Sequence, residues 1–250
     1  MISTFFKMNL FALLIFAQLC QAQEKLSPDQ FEGYVITNDG ARTEGIIEVS
    51  NATHPWSFQG TISFFDKSIL EEGKAKRKDK TKYKPTDLLE YGIGDRKFKP
   101  VEYVDSNQAD NNGLNETIGM IRSLTKTKHF AELYHEGAIS VYRFYSSPPG
   151  FSASAGNAQI NAYDDFVEKC KTTYDILIEN GSEKAKSFES VNLKKFFKSC
   201  PVVVKKYENK EYIKKPVKGL KSLIKDAMLQ GEPLANAAME MVKDYEANCK

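Results

Sequence analysis

The sequence predicts an α+β protein: an antiparallel β-rich N-terminal region followed by a helical C-terminal unit. Three observations carry that reading. Turn signals separate runs of β-branched and aromatic residues from Phe31 onward, apolar and polar residues alternate as far as about Ser190, and past Asn192 the apolar spacing becomes helical. The 250 residues divide accordingly into a signal peptide over 1–22, a β-rich region over 23–190 and a helical unit over 191–250.

The first segment is read as an export signal. Lys7 precedes an apolar run from Leu10 to Leu19, and Cys20, Gln21 and Ala22 put small residues at the −3 and −1 positions of a cleavage site between Ala22 and Gln23. The run is about half the roughly 20 apolar residues that a membrane-spanning helix needs. A lipoprotein reading, with Cys20 acylated, is disfavoured by the bulky Leu19 before it. The mature protein is therefore expected without a transmembrane segment, in the periplasm, at the outer membrane or outside the cell.

The β-rich region begins with FEGYVITNDGARTEGIIEVS, residues 31–50, in which strand residues flank Asn38-Asp39-Gly40; Asn and Gly accept the positive φ of a tight hairpin. A third strand is expected at 61–66, after a loop holding His54, Pro55 and Trp56. The lysine-rich stretch 74–84 has no apolar period and reads as an exposed connection. Pro85 and Asp87 mark a turn before strand residues 90–93. Residues 97–104 form a further strand, and Pro100, lacking an amide donor, places it at an edge or a bulge. Residues 105–115 are a polar loop, 117–124 fit a helical turn or a strand, and 129–145 read as two alternating strands joined at Glu136-Gly137. A loop of small residues over 146–157 follows, then strand text over 165–178 and 186–190, separated by Asn180-Gly181.

The helical unit starts where Asn192 caps a helix with Leu193, Phe196 and Phe197 on one face; Pro201 ends it and opens another with Val204 and Tyr207. Val217, Leu220, Leu223, Ile224, Ala227 and Met228 repeat at helical spacing up to Gly231. Pro233 opens a last helix in which Leu234, Ala238, Met241, Val242, Tyr245 and Cys249 share a face.

Chemistry is sparse. The three histidines are His54, His129 and His135, and if one straight strand carries the last two they lie roughly 20 Å apart, too far for one metal. Asp164, Asp165 and Glu168 have no second acid at a meaningful spacing. Tyr91-Gly92-Ile93-Gly94-Asp95 lacks the third glycine and the helix of a phosphate cradle, and neither Gly-x-Ser-x-Gly nor Cys-x-x-Cys occurs. No catalytic, cofactor or metal site is therefore assigned. Aromatic residues on or near the strands, Trp56, Phe58, Phe64, Phe65, Tyr134, Tyr142, Phe144 and Tyr145, are expected mostly in the core, since an alternating strand buries one face.

Lys and Arg total 35 against 33 Asp and Glu, a net charge of +2, so no nucleic-acid partner is expected. Lysines nevertheless crowd 74–84 and again 184–225, and each cluster is first a solvated face. Cleavage leaves Cys170, Cys200 and Cys249, among which three pairings are open. Cys200 with Cys249 is favoured, because both fall on apolar helical stripes, with Cys170 left as a buried thiol in strand-like text.

Gly33-Tyr34-Val35-Ile36-Thr37-Asn38-Asp39-Gly40 with Thr43-Glu44-Gly45-Ile46-Ile47, then Ile62-Ser63-Phe64 and Tyr83-Lys84-Pro85-Thr86-Asp87-Leu88, resembles a group of exported proteins of Bacteroidetes. Leu133-Tyr134, the stretch 139–145, Ser199-Cys200-Pro201 and Asp244-Tyr245-Glu246-Ala247-Asn248-Cys249 are similar to later parts of that group, while 216–232 departs from it. The resemblance implies a Gram-negative envelope protein and the Cys200–Cys249 pairing, and it implies no activity. The expected function is that of a non-enzymatic envelope or secreted protein, a module that binds another envelope protein or a surface component. The alternative is a peripheral binder of anionic lipid or lipopolysaccharide through Lys194, Lys195, Lys198, Lys205 and Lys206.

Overall fold

The computed structural model describes residues 26–68, 79–103, 127–147, 157–181, 183–212 and 231–249. Residues 1–22, expected as an export signal, the segment 216–228, the region 104–126 and residues 74–78 of the lysine stretch lie outside the described residues. Ten strands form one sheet: β1 Gln30–Thr37, β2 Arg42–Glu48, β3 Ile62–Asp66, β4 Thr81–Tyr83, β5 Leu88–Ile93, β6 Arg96–Tyr103, β7 Thr127–His135, β8 Ile139–Phe144, β9 Asp175–Asn180 and β10 Lys186–Ser187. The helices are α1 Asn157–Thr172, α2 Leu193–Phe196, α3 Pro201–Glu208 and α4 Glu232–Asn248. The protein is thus α+β, with an antiparallel sheet through its N-terminal two-thirds and helices at the C-terminal end.

The sheet order is β4-β3-β2-β1-β5-β6-β7-β8-β9-β10, every pair antiparallel. The chain therefore passes from the edge strand β4 back across three strands to β5. Lys84 to Asp87 closes a turn, with the Asp87 amide donating to the Lys84 carbonyl at 2.9 Å, so Tyr83 and Leu88 reach at most about 15 Å. Four strand spacings of a flat sheet measure ~19 Å. The first strands must curl.

Glycine permits the curl. Gly33 and Gly45 oppose each other on β1 and β2, and a Cβ on either would collide with backbone, the Gly92 carbonyl or the Phe65 carbonyl respectively. Inside the curl lies an aromatic core of Val35, Ile47, Ile62, Phe64, Leu88, Tyr91, Phe98 and Phe130, closed by Phe58 from the short 3-10 helix Pro55–Phe58. The Tyr91 ring stacks on Phe98 at 4.6 Å and meets Phe130 edge-on at 4.8 Å.

A second core lies further along the sheet. Ile139, Val141, Ile176 and Ile178 on β8 and β9 pack under Phe197, Val203, Leu234, Ala238, Met241 and Val242 of the helical unit. The opposite face of these strands buries a third cluster, which includes Val101, Ala131, Tyr142, Phe144 and Leu177. The Asn192 side chain caps α2 by accepting from the Lys195 amide at 3.0 Å, and Pro201 and Pro233 stand in the first turns of α3 and α4.

Three expectations are corrected. The text from Asp165 is not strand but the second half of α1: Ile160, Tyr163, Val167 and Cys170 recur at helical spacing, and Lys169 and Lys171 occupy the last turn, where they complement its carbonyl end. Thr81–Tyr83 is a strand within the expected connection, specified by its pairing with β3 rather than by a period of its own. Pro100 lies on an interior strand, not an edge. Phe130, its partner on β7, donates its amide to the Gln59 carbonyl at 2.9 Å, on the side away from β6. The Pro100 nitrogen accordingly faces β5, whose ladder with β6 has already ended at Tyr91–Phe98.

A candidate interaction strip on the sheet

Cys200, the N-cap of α3, and Cys249, the C-cap of α4, form a disulfide with Cα atoms 5.5 Å apart. Cys170 is a buried thiol in the last turn of α1. Asp164 and Asp165 are exposed on the same helix, and Glu168 pairs with Lys171 at 2.6 Å. Among the described residues no group of three or more His, Cys, Asp or Glu could hold a metal ion.

Of the five lysines singled out by sequence, two are held in ion pairs. Lys194 pairs with Glu208 at 2.7 Å, and Lys206 pairs with Asp244 at 2.8 Å, where Tyr212 also donates at 2.7 Å. Lys195, Lys198 and Lys205 are exposed, and the first two lie close enough to Glu183 to add to the pull of Lys186, which holds that carboxyl below its ordinary range. The histidines are separated. A bulge in β7 shifts the register between Leu133 and His135, so that His129 packs on Phe144 while His135, opposite Val141, faces α4 and lies 3.1 Å from Glu246. His54 stacks on Trp56 at 4.7 Å.

Between the curled half and the helix-covered half runs a strip that sequence reasoning missed. Its floor is the cross-strand row Phe98, Glu132 and Arg143 on β6, β7 and β8. Arg96 sets both donor positions of its side edge on Glu132, Nε at 2.8 Å and Nη2 at 3.3 Å, while its guanidinium lies 4.6 Å from the Phe58 ring centre and 4.9 Å from that of Phe98. Arg143 lies 3.9 Å from the ring centre of Tyr134 and 5.2 Å from that of Tyr174. One of its terminal nitrogens meets Glu232, the first residue of α4, at 3.2 Å, and the Tyr174 hydroxyl donates to the same carboxylate oxygen at 2.7 Å. Burial first, then that carboxylate, pushes the Tyr174 hydroxyl well above the ordinary tyrosine range.

Gln59 closes the strip on its other side. It fills the gap where β7 and β8 splay: its carbonyl accepts from Phe130, and its side-chain amide takes both the amide (2.6 Å) and the carbonyl (2.5 Å) of Tyr145. The Tyr145 ring then rests on Tyr174 at 5.3 Å. Of the aromatics named from sequence, Phe58, Phe64, Tyr142 and Phe144 are buried, whereas Trp56, Phe65, Tyr134 and Tyr145 are half-buried. One sequence signal pointed here. Arg143 has the same strand parity as Ile139 and Val141, so a charge occupies a core-side position of an alternating strand.

No protein family, no curated protein and no solved structure matches the chain. Among the described residues no helix is long and apolar enough to cross a membrane.

Proposed function

We propose that the protein is an exported, non-enzymatic module of a bacterial envelope that binds another protein through the strip between the 3-10 segment and α4. The observation behind this reading is composition in place: Arg96, Arg143, Tyr134 and Tyr145 are all partly solvent-accessible on one sheet face, beside the segment that carries Trp56. Tyr, Trp and Arg are the residue types that dominate binding energy at protein interfaces, because they present large rigid area with a polar edge. Charged groups on the opposite face pair among themselves, as Lys99 does with Glu136 and Glu90. Crosslinking in intact cells, followed by mass spectrometry, should yield one recurrent protein, and Arg96→Ala with Tyr134→Ser should lose it. Recovery of no protein overturns the reading.

A second reading, peripheral binding to anionic lipid or lipopolysaccharide, is favoured by Val202, which is 41% exposed on α3, with exposed Lys205 one helical turn further on and exposed Lys198 in the turn that precedes the helix. Lys206 is engaged by Asp244, so the relevant variant is Lys198→Glu with Lys205→Glu. Sedimentation with phosphatidylglycerol vesicles should fall as salt shortens the Debye length from about 30 Å to about 10 Å, and should be lost in that variant. Binding indifferent to salt, or absent, refutes this alternative.

A further inference from the structure

Two arginines on the strip differ in how fully they are used. Arg96 holds Glu132 with Nε and Nη2 together, the side-on bidentate geometry that carboxylates prefer. Arg143 is the direct cross-strand neighbour of that same Glu132, yet the carboxylate is already taken. The anion held by Arg143 is Glu232, through one oxygen and one terminal nitrogen, and the Arg143 Nε–H is buried with no acceptor. A buried donor left without a partner is costly, so it marks a place where an acceptor belongs.

The two partners are held unequally. Arg143 is only 21% exposed and lies between the Tyr134 and Tyr174 rings, whereas Glu232 is 58% exposed at the outer end of α4. We infer that Arg143 is the recognition centre of the strip for an acidic side chain of the partner protein, and that Glu232 occupies it as an internal stand-in until the partner's carboxylate displaces it and spans Nε and Nη2. This deepens the binding-module reading and rests on it. The tyrosine rings fix the guanidinium plane, and they lower the local dielectric, so that the incoming ion pair is stronger than one in open water. Because a receptor group occupied by an internal competitor shows an apparent affinity reduced by its free fraction, removing Glu232 should tighten binding.

The test uses the full mature chain, poly-L-glutamate as the probe, and the Arg143 Nε–H resonance as the readout. Titration should shift that resonance, about fivefold less probe should suffice in Glu232→Gln, and Arg143→Lys, which keeps the charge but not the fork and is followed through the backbone amide resonances of β8, should abolish specific binding. Equal thermal stability of the variants would exclude unfolding as the cause. No shift with the probe, or no tightening in Glu232→Gln, overturns the inference; an equal response to polygalacturonate overturns its assignment to a protein partner. Cell crosslinking separates this inference from the reading beneath it. A partner retained by Arg143→Lys would refute the Arg143 site and leave the binding module standing, while no partner at all would refute both.

Discussion

Gln59 shows how a single side chain joins the two halves of the sheet. Its amide replaces the next rung of the β7–β8 ladder, donating to and accepting from the Tyr145 backbone, while its own carbonyl takes the Phe130 amide. At 4% exposure it is one of only two polar residues recorded as buried among the described residues. Gln59→Leu preserves size but strands both Tyr145 groups, so the expected loss is about 2–3 kcal/mol, read by urea unfolding. A loss below about 0.5 kcal/mol would show that the residue merely fills space. Nothing in the sequence around Gln59 announced this role, because its partner stands 86 positions away. Gly33 and Gly45 were similarly mute: their turn-free setting in β1 and β2 gives no hint that backbone from neighbouring strands passes where a Cβ would sit. Asn38-Asp39-Gly40, by contrast, was legible because a turn is specified by residues adjacent in sequence; Gly40 has φ of 84°.

At the scale of elements, α4 is fastened along its whole length. Glu232 meets Arg143 and Tyr174 at its start, Leu234, Ala238, Met241 and Val242 bury its central face, and Glu246 accepts from the Ala138 amide at 3.0 Å near its end, where Cys249 is tied to Cys200. The helix itself was legible from its apolar stripe and Pro233, and the disulfide from the two stripes it joins. Its ion pairs were not, since they require knowing that α4 packs on β8 and β9. α1 was misread because the text was taken by alternation from Asp165 onward, whereas the helical spacing shows only when Ile160 and Tyr163 are counted together with Val167 and Cys170. Asp244 gives α4 a pH dependence. Burial raises its carboxyl, but hydrogen bonds from Lys206 and Tyr212 outweigh that and hold it below the ordinary aspartate range. A depressed carboxyl contributes stability that is present above the unfolded value of about 4 and lost as pH falls through the lower folded value. Acidification from about pH 5 to about pH 3 should therefore cost the wild type more in Tm than it costs Asp244→Asn. Parallel Tm curves for the two proteins would show that the Asp244 cluster contributes nothing to acid stability.

Across the whole molecule, the curled core and the core beneath the helices share one sheet with a third cluster on its far face, and the question is whether the two halves unfold as one. The curled half was legible only as a set of strands; that it encloses its own aromatic core follows from the four-residue passage between β4 and β5, which is too short for a flat sheet. Phe98 and Phe130 belong to that core, yet the strands that carry them, β6 and β7, continue directly into β8 and β9 beneath α4. The disulfide closes a separation of 49 residues wholly within the helical unit, a constraint worth about 4 kcal/mol in the chain-entropy account, so it raises the stability of the helical half without touching the curled one. If the shared strands couple the halves, that gain is distributed to both. The chain offers one natural probe for each. Trp56, the single tryptophan, stands on the segment that closes the curled core, and helical circular dichroism draws on α2, α3 and α4 together with α1, all outside the curled half. Coupling requires that tryptophan fluorescence and the 222 nm signal follow the same thermal transition in the oxidised protein, and that reduction moves both together. Continuity of β6 and β7 makes this the expected result, because a frayed β7 would strip Phe130 from one core and Tyr134 from the other. A tryptophan transition that stays fixed while reduction lowers the helical one would instead establish two independently folding units joined only by hydrogen bonds.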